Sequence, residues 1–234
     1  LLGSAAGTRI ETYVSQDGGS NWTNLHPSQL NGFGNGRGEY SISADKNDLG
    51  QYTMYALFSS NSGTLGGVYR SVDNGVNWYQ IGPAATGSFT PLSTTLSQQG
   101  NYNLVILSSQ DGEFCTLGGI NLWKWQHTPN GTPDNGQWYA ISSGWNSVSP
   151  NYIHADNHRL AYNSDGFLVV GNDGGVQIRN PQGFGTAINK GYNVTQFYSM
   201  SYGGNGSVMA GAQDNGTQYK DNSIPWSKEF AEVR

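Results

Sequence analysis

Short runs of aromatic, aliphatic and β-branched residues alternate along the chain with clusters of glycine, asparagine, aspartate and serine. Aromatic and β-branched side chains suit the pleated surface of a β-strand. Glycine and asparagine suit tight turns because they tolerate a positive φ angle. The pattern therefore predicts an all-β protein of short strands joined by tight turns.

The low content of charged and basic residues limits the classes of binding partner that can be expected. The 234 residues include 34 glycines, only 12% are charged, and the formal net charge is −5 with 11 lysines and arginines in total. Nucleic acid and anionic lipid both require a field of basic residues, so neither is expected as a partner. No apolar run approaches the roughly 20 residues that span a bilayer. Cys115 is the only cysteine, so packing and turn hydrogen bonds must hold the fold.

An eight-residue segment occurs twice. Residues 15–22 (SQDGGSNW) and 71–78 (SVDNGVNW) share the pattern S-x-D-x-G-x-N-W, and residues 134–138 (DNGQW) form a weaker third copy. The pattern is typical of a hairpin turn in which aspartate accepts backbone hydrogen bonds, glycine adopts positive φ and tryptophan packs back on the sheet. The predicted structural residues are Ser15, Asp17, Gly19, Trp22, Ser71, Asp73, Gly75, Trp78, Asp134, Gly136 and Trp138.

The repeated turns divide the chain into four-stranded units. Two Gly-Gly strands, which begin at residues 66 and 118, fix the alignment of the first two units. Strands are predicted near residues 40–44, 53–59, 67–71 and 78–81, then 92–96, 103–108, 120–125 and 138–141, then 158–162, 167–171 and 176–179, then 195–202, 208–212 and 217–220. Residues 9–14 and the first turn supply the last two strands of a preceding unit. Four-stranded units in series predict a β-propeller, a single domain over residues 1–234 with about four blades plus partial ones. Rings usually carry four to eight blades, and rings with such turns tend toward the upper end, so we expect a partial propeller that belongs to a longer protein. The alternative is a compact four-bladed ring in which the extra strands at the two ends meet.

Blade topology predicts which loops meet. In an antiparallel meander the start of the first strand lies beside the end of the second, at the edge opposite the repeated turns. Residues 154–158 (HADNH) and 171–175 (GNDGG) occupy these positions in the third blade, and residues 195–198 (TQFY) and 211–217 (GAQDNGT) occupy them in the fourth. All four segments are therefore expected at one rim.

The turns and these four segments resemble the Asp-box, or BNR, repeat and the signatures of a family of bacterial exported propellers. Asp-box repeats are found in sialidases, sortilin-like receptors and xyloglucan-cleaving glycoside hydrolases. The exported family is common in Bacteroidetes and is often followed by a type IX secretion sorting domain. The resemblance covers most of the chain and implies a secreted or cell-surface location. In proteins with Asp-box repeats the aspartate of the repeat stabilises a turn, so the resemblance implies that Asp17 and Asp73 are not catalytic.

Two histidines and an aspartate form the one candidate metal site. In an extended segment His154, Asp156 and His158 point to the same side, where they could bind a divalent cation, and Asp173 could add an oxygen. The alternative, which we favour, is that these groups hydrogen-bond to one another and to the surrounding loops. No cofactor is firmly implied.

Asp156, Asp173 and Asp214 are the candidate catalytic residues, because glycoside cleavage uses two carboxyl groups with one raised pKa. Ordinary turn chemistry explains Asp173 and Asp214 at least as well. The arginines are dispersed and form no sialidase-like triad, and the xyloglucan hydrolase motif is not found. Trp145 lies in a loop where it could stack on a sugar. The further binding candidates are Asn172, Gln196, Tyr198, Gln213 and Asn215.

Strong fold signals without a complete catalytic set favour a non-enzymatic module that binds a glycan or a protein outside a bacterial cell. A glycoside hydrolase with acidic residues at the propeller mouth is the first alternative. A subunit of a larger surface assembly is the second.

Overall fold

The computed structural model describes residues 2–6, 9–25, 36–82, 89–92, 98–190, 195–221 and 231–233, with side chains described from residue 11 to residue 221 within these ranges. All regular secondary structure in these ranges is β-strand, arranged in five antiparallel sheets. The prediction of an all-β protein is confirmed.

Each sheet is a meander in which consecutive strands are neighbours. The first sheet contains β1 (Leu2–Ala6), β2 (Arg9–Val14) and β3 (Thr23–Asn24), and the second contains β4 (Gly38–Lys46), β5 (Tyr52–Ser59), β6 (Leu65–Ser71) and β7 (Tyr79–Gly82). The third contains β8 (Val105–Ser108), β9 (Phe114–Gly118), β10 (Leu122–His127) and β11 (Gly136–Ala140). The fourth contains β12 (Asn157–Tyr162), β13 (Leu168–Asn172), β14 (Gly175–Arg179) and β15 (Gly185–Ala187). The fifth contains β16 (Phe197–Tyr202), β17 (Val208–Ala212), β18 (Thr217–Lys220) and β19 (Ala231–Val233).

Neighbouring sheets meet through their first strands. Strand β1 contacts β4, β4 contacts β8, and β8 contacts β12, so these strands line the inside while later strands lie further out. Successive meander sheets arranged in this way form a β-propeller, here with one three-stranded and four four-stranded sheets. The fold class predicted from the sequence is confirmed.

The core lies between the sheets. Between the second and third sheets, Tyr55 and Leu57 pack with Leu117 and Trp125, each 0 or 1% exposed. Tyr55 and Trp125 meet edge to face with ring centroids 6.3 Å apart, a favoured aromatic geometry. Cys115 is fully buried in the same cluster. A second cluster on the other face of the second sheet is built around Trp78.

The two strong turn repeats have the same hydrogen bonds. In the first, Asp17 accepts from the Ser15 hydroxyl at 2.8 Å and from the Asn21 backbone amide at 2.8 Å, and the Trp22 indole donates to the Gly19 carbonyl at 3.0 Å. In the second, the corresponding distances for Asp73, Asn77 and Trp78 are 2.7, 2.9 and 2.9 Å. Gly19 and Gly75 have φ angles of 95° and 88°. The predicted turn geometry is therefore present at both positions.

The third copy is a different turn, so its assignment to the repeat was wrong. The Trp138 indole donates to the Ile81 carbonyl of the second sheet at 2.6 Å instead of closing its own turn. The ring packs against Phe89, with the centroids 4.5 Å apart and the ring planes tilted by 31°. The turn is closed further out, where the Thr128 amide donates to the Asn135 carbonyl at 2.8 Å. Asp134 consequently lies in a longer connection between β10 and β11, and Gly136 is the first residue of β11.

The strand order of the third sheet also differs from the prediction. Strand β8 (Val105–Ser108) is the first strand of that sheet, not the second, and β9 (Phe114–Gly118) was missed. The strand predicted at 92–96 falls largely outside the described residues, and Leu92 itself lies in a turn. The fourth sheet gains β15 and the first gains β1 relative to the prediction.

Candidate functional site

One edge of the third, fourth and fifth sheets gathers polar side chains, and we call it the polar rim. It comprises Tyr102 and Asn103, residues 154–158, residues 172–175, Gln196 and residues 213–216. Asn157 pairs with Asn172 in the fourth sheet, and Phe197 pairs with Ala212 in the fifth. The starts of β12 and β16 therefore lie beside the ends of β13 and β17, as the meander topology predicts.

Both sheets carry a bulge at this edge. The register shifts between Asn157 and Arg159 in β12 and between Phe197 and Ser199 in β16, which leaves His158 and Tyr198 at equivalent unpaired positions. Bulges often re-aim a side chain next to a functional site. His158 turns toward the neighbouring loop, whereas Tyr198 is 71% exposed.

Asp173 links two sheets through its carboxylate. One oxygen lies 2.7 Å from His158 Nε2, and the other accepts a hydrogen bond of 2.8 Å from the Tyr102 hydroxyl. The Tyr102 and His158 rings meet edge to face at 4.9 Å. Burial and the neighbouring Asp173 carboxylate raise the pKa of Tyr102, so its proton stays in place as the donor.

Asp156 has a left-handed backbone with φ of 62°. Its carboxylate accepts a hydrogen bond of 2.5 Å from Asn103 Nδ2, which belongs to a side chain that is completely buried. Burial, and then the negative charge of Asp173, raise the pKa of Asp156 above its usual value. The Asp156 carboxylate thus faces the third sheet.

His154 is held by the fourth and fifth sheets. Its backbone amide donates to Gln177 Oε1 at 2.6 Å, and its Nε2 donates to the Asp214 backbone carbonyl at 3.1 Å. Gly174 packs directly on the imidazole, since a Cβ there would lie 2.6 Å from the ring. This contact explains why glycine is required beside the histidine.

The metal site predicted from His154, Asp156 and His158 does not form. The prediction assumed an extended segment, but the positive φ of Asp156 breaks the alternation, and β12 begins only at Asn157. Each of the three side chains has a different hydrogen-bond partner. Within the described ranges, no three His, Cys, Asp or Glu side chains are arranged to hold a metal ion.

The fifth sheet closes the rim through the loop after β17. The Gln213 amide donates to the Gln196 carbonyl at 2.9 Å, and Asn215 Nδ2 donates to the Asp173 carbonyl at 2.8 Å. The Asp214 carboxyl group hydrogen-bonds to that of Asp173, and burial and this contact raise the pKa of Asp214.

These loops enclose a cavity of about 410 Å³ between the fourth and fifth sheets. It is lined by Tyr102, Asn172, Asp173, Gly174, Gly175, Asn189, Thr195, Gln196, Gln213, Asp214, Asn215 and Gln218. Of the predicted binding residues, Asn172, Asp173, Gln196, Gln213, Asp214 and Asn215 line it. His154, Asp156 and His158 form its support, and Tyr198 and Trp145 lie outside its lining.

Trp145 lies in the loop between β11 and β12, and this loop enters the polar rim. The Trp145 side chain is 72% exposed. The preceding Gly144 amide donates to Asn121 Oδ1 at 2.8 Å, and a Cβ at Gly144 would lie 3.1 Å from that of Ala155. The loop is therefore anchored beside residues 154–158.

Several residues of the site were missed from the sequence. They include Tyr102, Asn103, Gln177, Asn189 and Gln218, which reach it from positions that carry no local motif. Asn189 shapes the loop after β13, because Nδ2 donates to the Gly174 carbonyl at 2.7 Å and Oδ1 accepts from the Val176 amide at 2.7 Å. Only strand pairing and blade packing bring these residues to the site, so no feature of the sequence around them indicates it.

No protein-family model and no curated protein sequence matches the chain. Among solved structures, it is similar to the extracellular domain of BT4673 from B. thetaiotaomicron, described as a hybrid two-component system, with 15% identity and a TM-score of 0.40 over 96% of this chain and 26% of that one. A second structure of the BT4673 extracellular domain gives 14% identity and a TM-score of 0.39 over 100% and 27% of the two chains. YCF48 bound to a D1 peptide gives 14% identity and a TM-score of 0.34 over 91% and 73%.

The chain thus spans about a quarter of the length of the BT4673 domain that it matches. No helix in the described part of the chain has the length and apolar character needed to cross a membrane. The five consecutive meander sheets themselves identify the architecture as that of a β-propeller.

Proposed function

We propose that this chain is the binding module of a secreted or cell-surface protein and that the polar rim binds a glycan. The observation that carries the proposal is the convergence of amide and carboxylate side chains from two consecutive blades around one cavity of about 410 Å³. Ligand sites are concave, commonly about 300–1,000 Å³, and fixed by a few placed polar groups.

The cavity chemistry favours a polyhydroxylated ligand. Six amide side chains line it, those of Asn172, Asn189, Gln196, Gln213, Asn215 and Gln218. An amide offers a donor and an acceptor side by side, and an ionised carboxylate accepts from a hydroxyl. Vicinal sugar hydroxyls need this combination, whereas an apolar peptide side chain does not.

Trp145 supports the same choice of ligand. Its exposed indole stands in a loop of the same rim, and flat aromatic rings provide an apolar surface with a polar tip. A glycan longer than the cavity could stack its next unit on this ring. Export to the cell surface is part of the proposal because of the resemblance to exported propellers.

Gln196 and Trp145 are the variants of choice for a binding test. The Gln196 side chain is exposed and makes no hydrogen bond within the described part of the chain, so Gln196→Ala removes a ligand-facing amide at little cost to the fold. Trp22→Ala is the matched control, because Trp22 is also exposed, at 46%, but lies in the turn at the opposite edge.

The experiment is a glycan array of neutral and acidic oligosaccharides followed by titration calorimetry with the best oligosaccharide. We expect Trp145→Ala and Gln196→Ala each to weaken binding about three- to tenfold, since a stacking contact or hydrogen bond contributes about 0.5–1.5 kcal/mol. Trp22→Ala should bind like the wild type. Binding of no oligosaccharide, or equal loss in Trp22→Ala, would reject the proposal, and capture of a protein ligand at the rim would favour a surface assembly.

Glycoside hydrolysis is the second candidate, and the raised pKa values of Asp156 and Asp214 favour it, because a general acid must be protonated at the working pH. The hydrogen-bonding contact between Asp173 and Asp214 argues against that particular pair, since the two carboxyl groups of glycosidases stand at least about 5 Å apart. Incubation of the bound oligosaccharide with wild type and Asp214→Asn separates the two functions. Release of reducing ends by the wild type alone would establish the hydrolase.

A further inference from the structure

A second cavity lies between the third and fourth sheets, near the edge opposite the polar rim. It measures about 240 Å³, and its walls include Phe114, Lys124, Tyr162, Arg179 and Pro181. We call it the basic cleft. Strand pairing places Lys124 beside Thr116 in the third sheet and Arg179 beside Leu168 in the fourth, so the two blades each contribute one cation.

Among the described residues, neither cation has a carboxylate counter-ion within 4.0 Å. Lys124 Nζ stands 3.9 Å from the centre of the Phe114 ring, and Arg179 Nε donates to the Ile141 carbonyl at 3.1 Å. Among the ion pairs within 4.0 Å in the described part of the chain, neither side chain takes part. The other two guanidinium nitrogens of Arg179 make no hydrogen bond within the same residues.

The nearest acidic influence comes from Asp111, whose carboxylate is already engaged. It accepts hydrogen bonds from the Ser109 hydroxyl at 2.6 Å and from the Glu113 amide at 3.0 Å. Burial lowers the pKa of Lys124, the positive charge of Arg179 lowers it further, and burial lowers the pKa of Arg179. The cations are therefore partly desolvated and repel one another.

Two such charges are unexpected in an acidic protein of net charge −5. Cations that are partly removed from water without a counter-ion are unfavourable, and a bound anion would offset both at once. We propose that the basic cleft binds a carboxylate group, held between Lys124 and Arg179, of a ligand whose body rests against Phe114 and Tyr162. The guanidinium fork matches the two carboxylate oxygens, and the aromatic walls suit an apolar or ring-shaped body.

The cleft volume limits what can enter. At about 240 Å³ it is smaller than the sites of drug-sized ligands, so it accepts a small acid or the terminal unit of a longer chain. A uronic acid at the end of an acidic oligosaccharide and the C-terminal residue of a peptide both present this chemistry. The basic cleft is separate from the polar rim. The proposal that it binds a carboxylate does not depend on whether the rim binds a glycan.

The test is titration calorimetry at low ionic strength with trigalacturonate and with N-acetyl-diglycine, which represent the two sources. Maltotriose and N-acetyl-diglycine amide are their uncharged counterparts. We expect one of the two carboxylates to bind the wild type, its uncharged counterpart not to bind, and Lys124→Met to weaken binding at least tenfold, as expected for a charge-assisted hydrogen bond. The tighter probe identifies the source.

Lys46→Met is the matched control. Lys46 also stands over an aromatic ring, 5.2 Å from the centre of Tyr52, but in the second sheet and outside the cleft. It should bind like the wild type although the net charge changes equally. Binding of neither carboxylate, equal binding of the uncharged counterparts, or equal loss in Lys46→Met would overturn the proposal.

A folding defect in Lys124→Met would not decide the matter, so a second measurement uses the wild type alone. Carboxylate binding between two cations must weaken as sodium chloride is added, because salt screens the attraction. Affinity that does not change between low and high salt would also overturn the proposal.

Discussion

Replacement of the turn tryptophans tests how the repeated turns stabilise the blades. Trp78 and Trp22 make the same indole hydrogen bond to a glycine carbonyl, at 2.9 and 3.0 Å. They differ in burial: Trp78 is 3% exposed and packs with Met54, Phe58 and Tyr69, whereas Trp22 is 46% exposed. The pair therefore separates the contribution of packing from that of the turn.

The magnitude follows from the buried area. A buried tryptophan removes about 200 Å² from water, which at about 25 cal/mol/Å² corresponds to roughly 5 kcal/mol. Measured truncations of buried aromatic residues cost about 3–5 kcal/mol. We expect Trp78→Ala to lose about 4 kcal/mol and, at about 2–4 °C per kcal/mol for a chain of this size, to melt about 8–16 °C lower. Trp22→Ala should lose less than half of that.

Urea and thermal unfolding followed by far-ultraviolet circular dichroism measure both variants without relying on tryptophan fluorescence. Equal losses would show that burial against the second sheet does not determine the contribution, and the packing account of Trp78 would then be wrong. A loss at Trp22 larger than at Trp78 would be still harder to reconcile with the structure.

Three further predictions concern single positions. Asp214→Asn should raise the melting temperature at pH 7, because the raised folded pKa of Asp214 destabilises the ionised form. The gain should vanish below the unfolded pKa of about 3.8, and a constant gain across the pH range would contradict it. Asp17→Asn should be less stable than the wild type above about pH 4, because turn hydrogen bonds lower the pKa of Asp17 to about 2. The difference in stability should disappear toward pH 2. Unfolding curves at several pH values measure this difference, and a difference that does not change with pH would contradict the prediction. Gly112→Ala should destabilise the protein more than Gly166→Ala. Both glycines have positive φ, but a Cβ at Gly112 would lie 2.4 Å from Thr53, whereas a Cβ at Gly166 would meet open space. Equal melting temperatures of the two variants would contradict this contact.

Much of the architecture could be predicted because it depends on local chemistry. The S-x-D-x-G-x-N-W pattern encodes its own hydrogen bonds, so it located the ends of β2 and β6. The third sheet was misread because Gly118-Gly119 was aligned with Gly66-Gly67. The earlier pair lies inside β6, whereas Gly119 lies in a turn, where the Ile120 amide donates to the Pro91 carbonyl. Composition does not distinguish these two environments.

The site was predictable to the extent that topology determines it. The meander rule placed residues 154–158, 172–175 and 213–216 at one edge, and the cavity forms there. The extended geometry assumed for the candidate metal site is absent because a single positive φ at Asp156 cancels the period-two alternation, and such an angle at an aspartate is not visible in the pattern. The favoured alternative, hydrogen bonds to the surrounding loops, agrees with the structure. Tyr102 contacts Asp173 from 71 residues away, a pairing that only blade packing creates.

The most direct test of the account is chemical-shift mapping by NMR with the oligosaccharide selected from the array. Binding at the polar rim predicts shifts in the backbone amides of residues 172–175 and 213–216 and in the Trp145 indole, with the Asp17 and Asp73 turns unchanged. Shifts concentrated at those turns, or none at all at saturating ligand, would contradict the assignment of the rim as the binding surface.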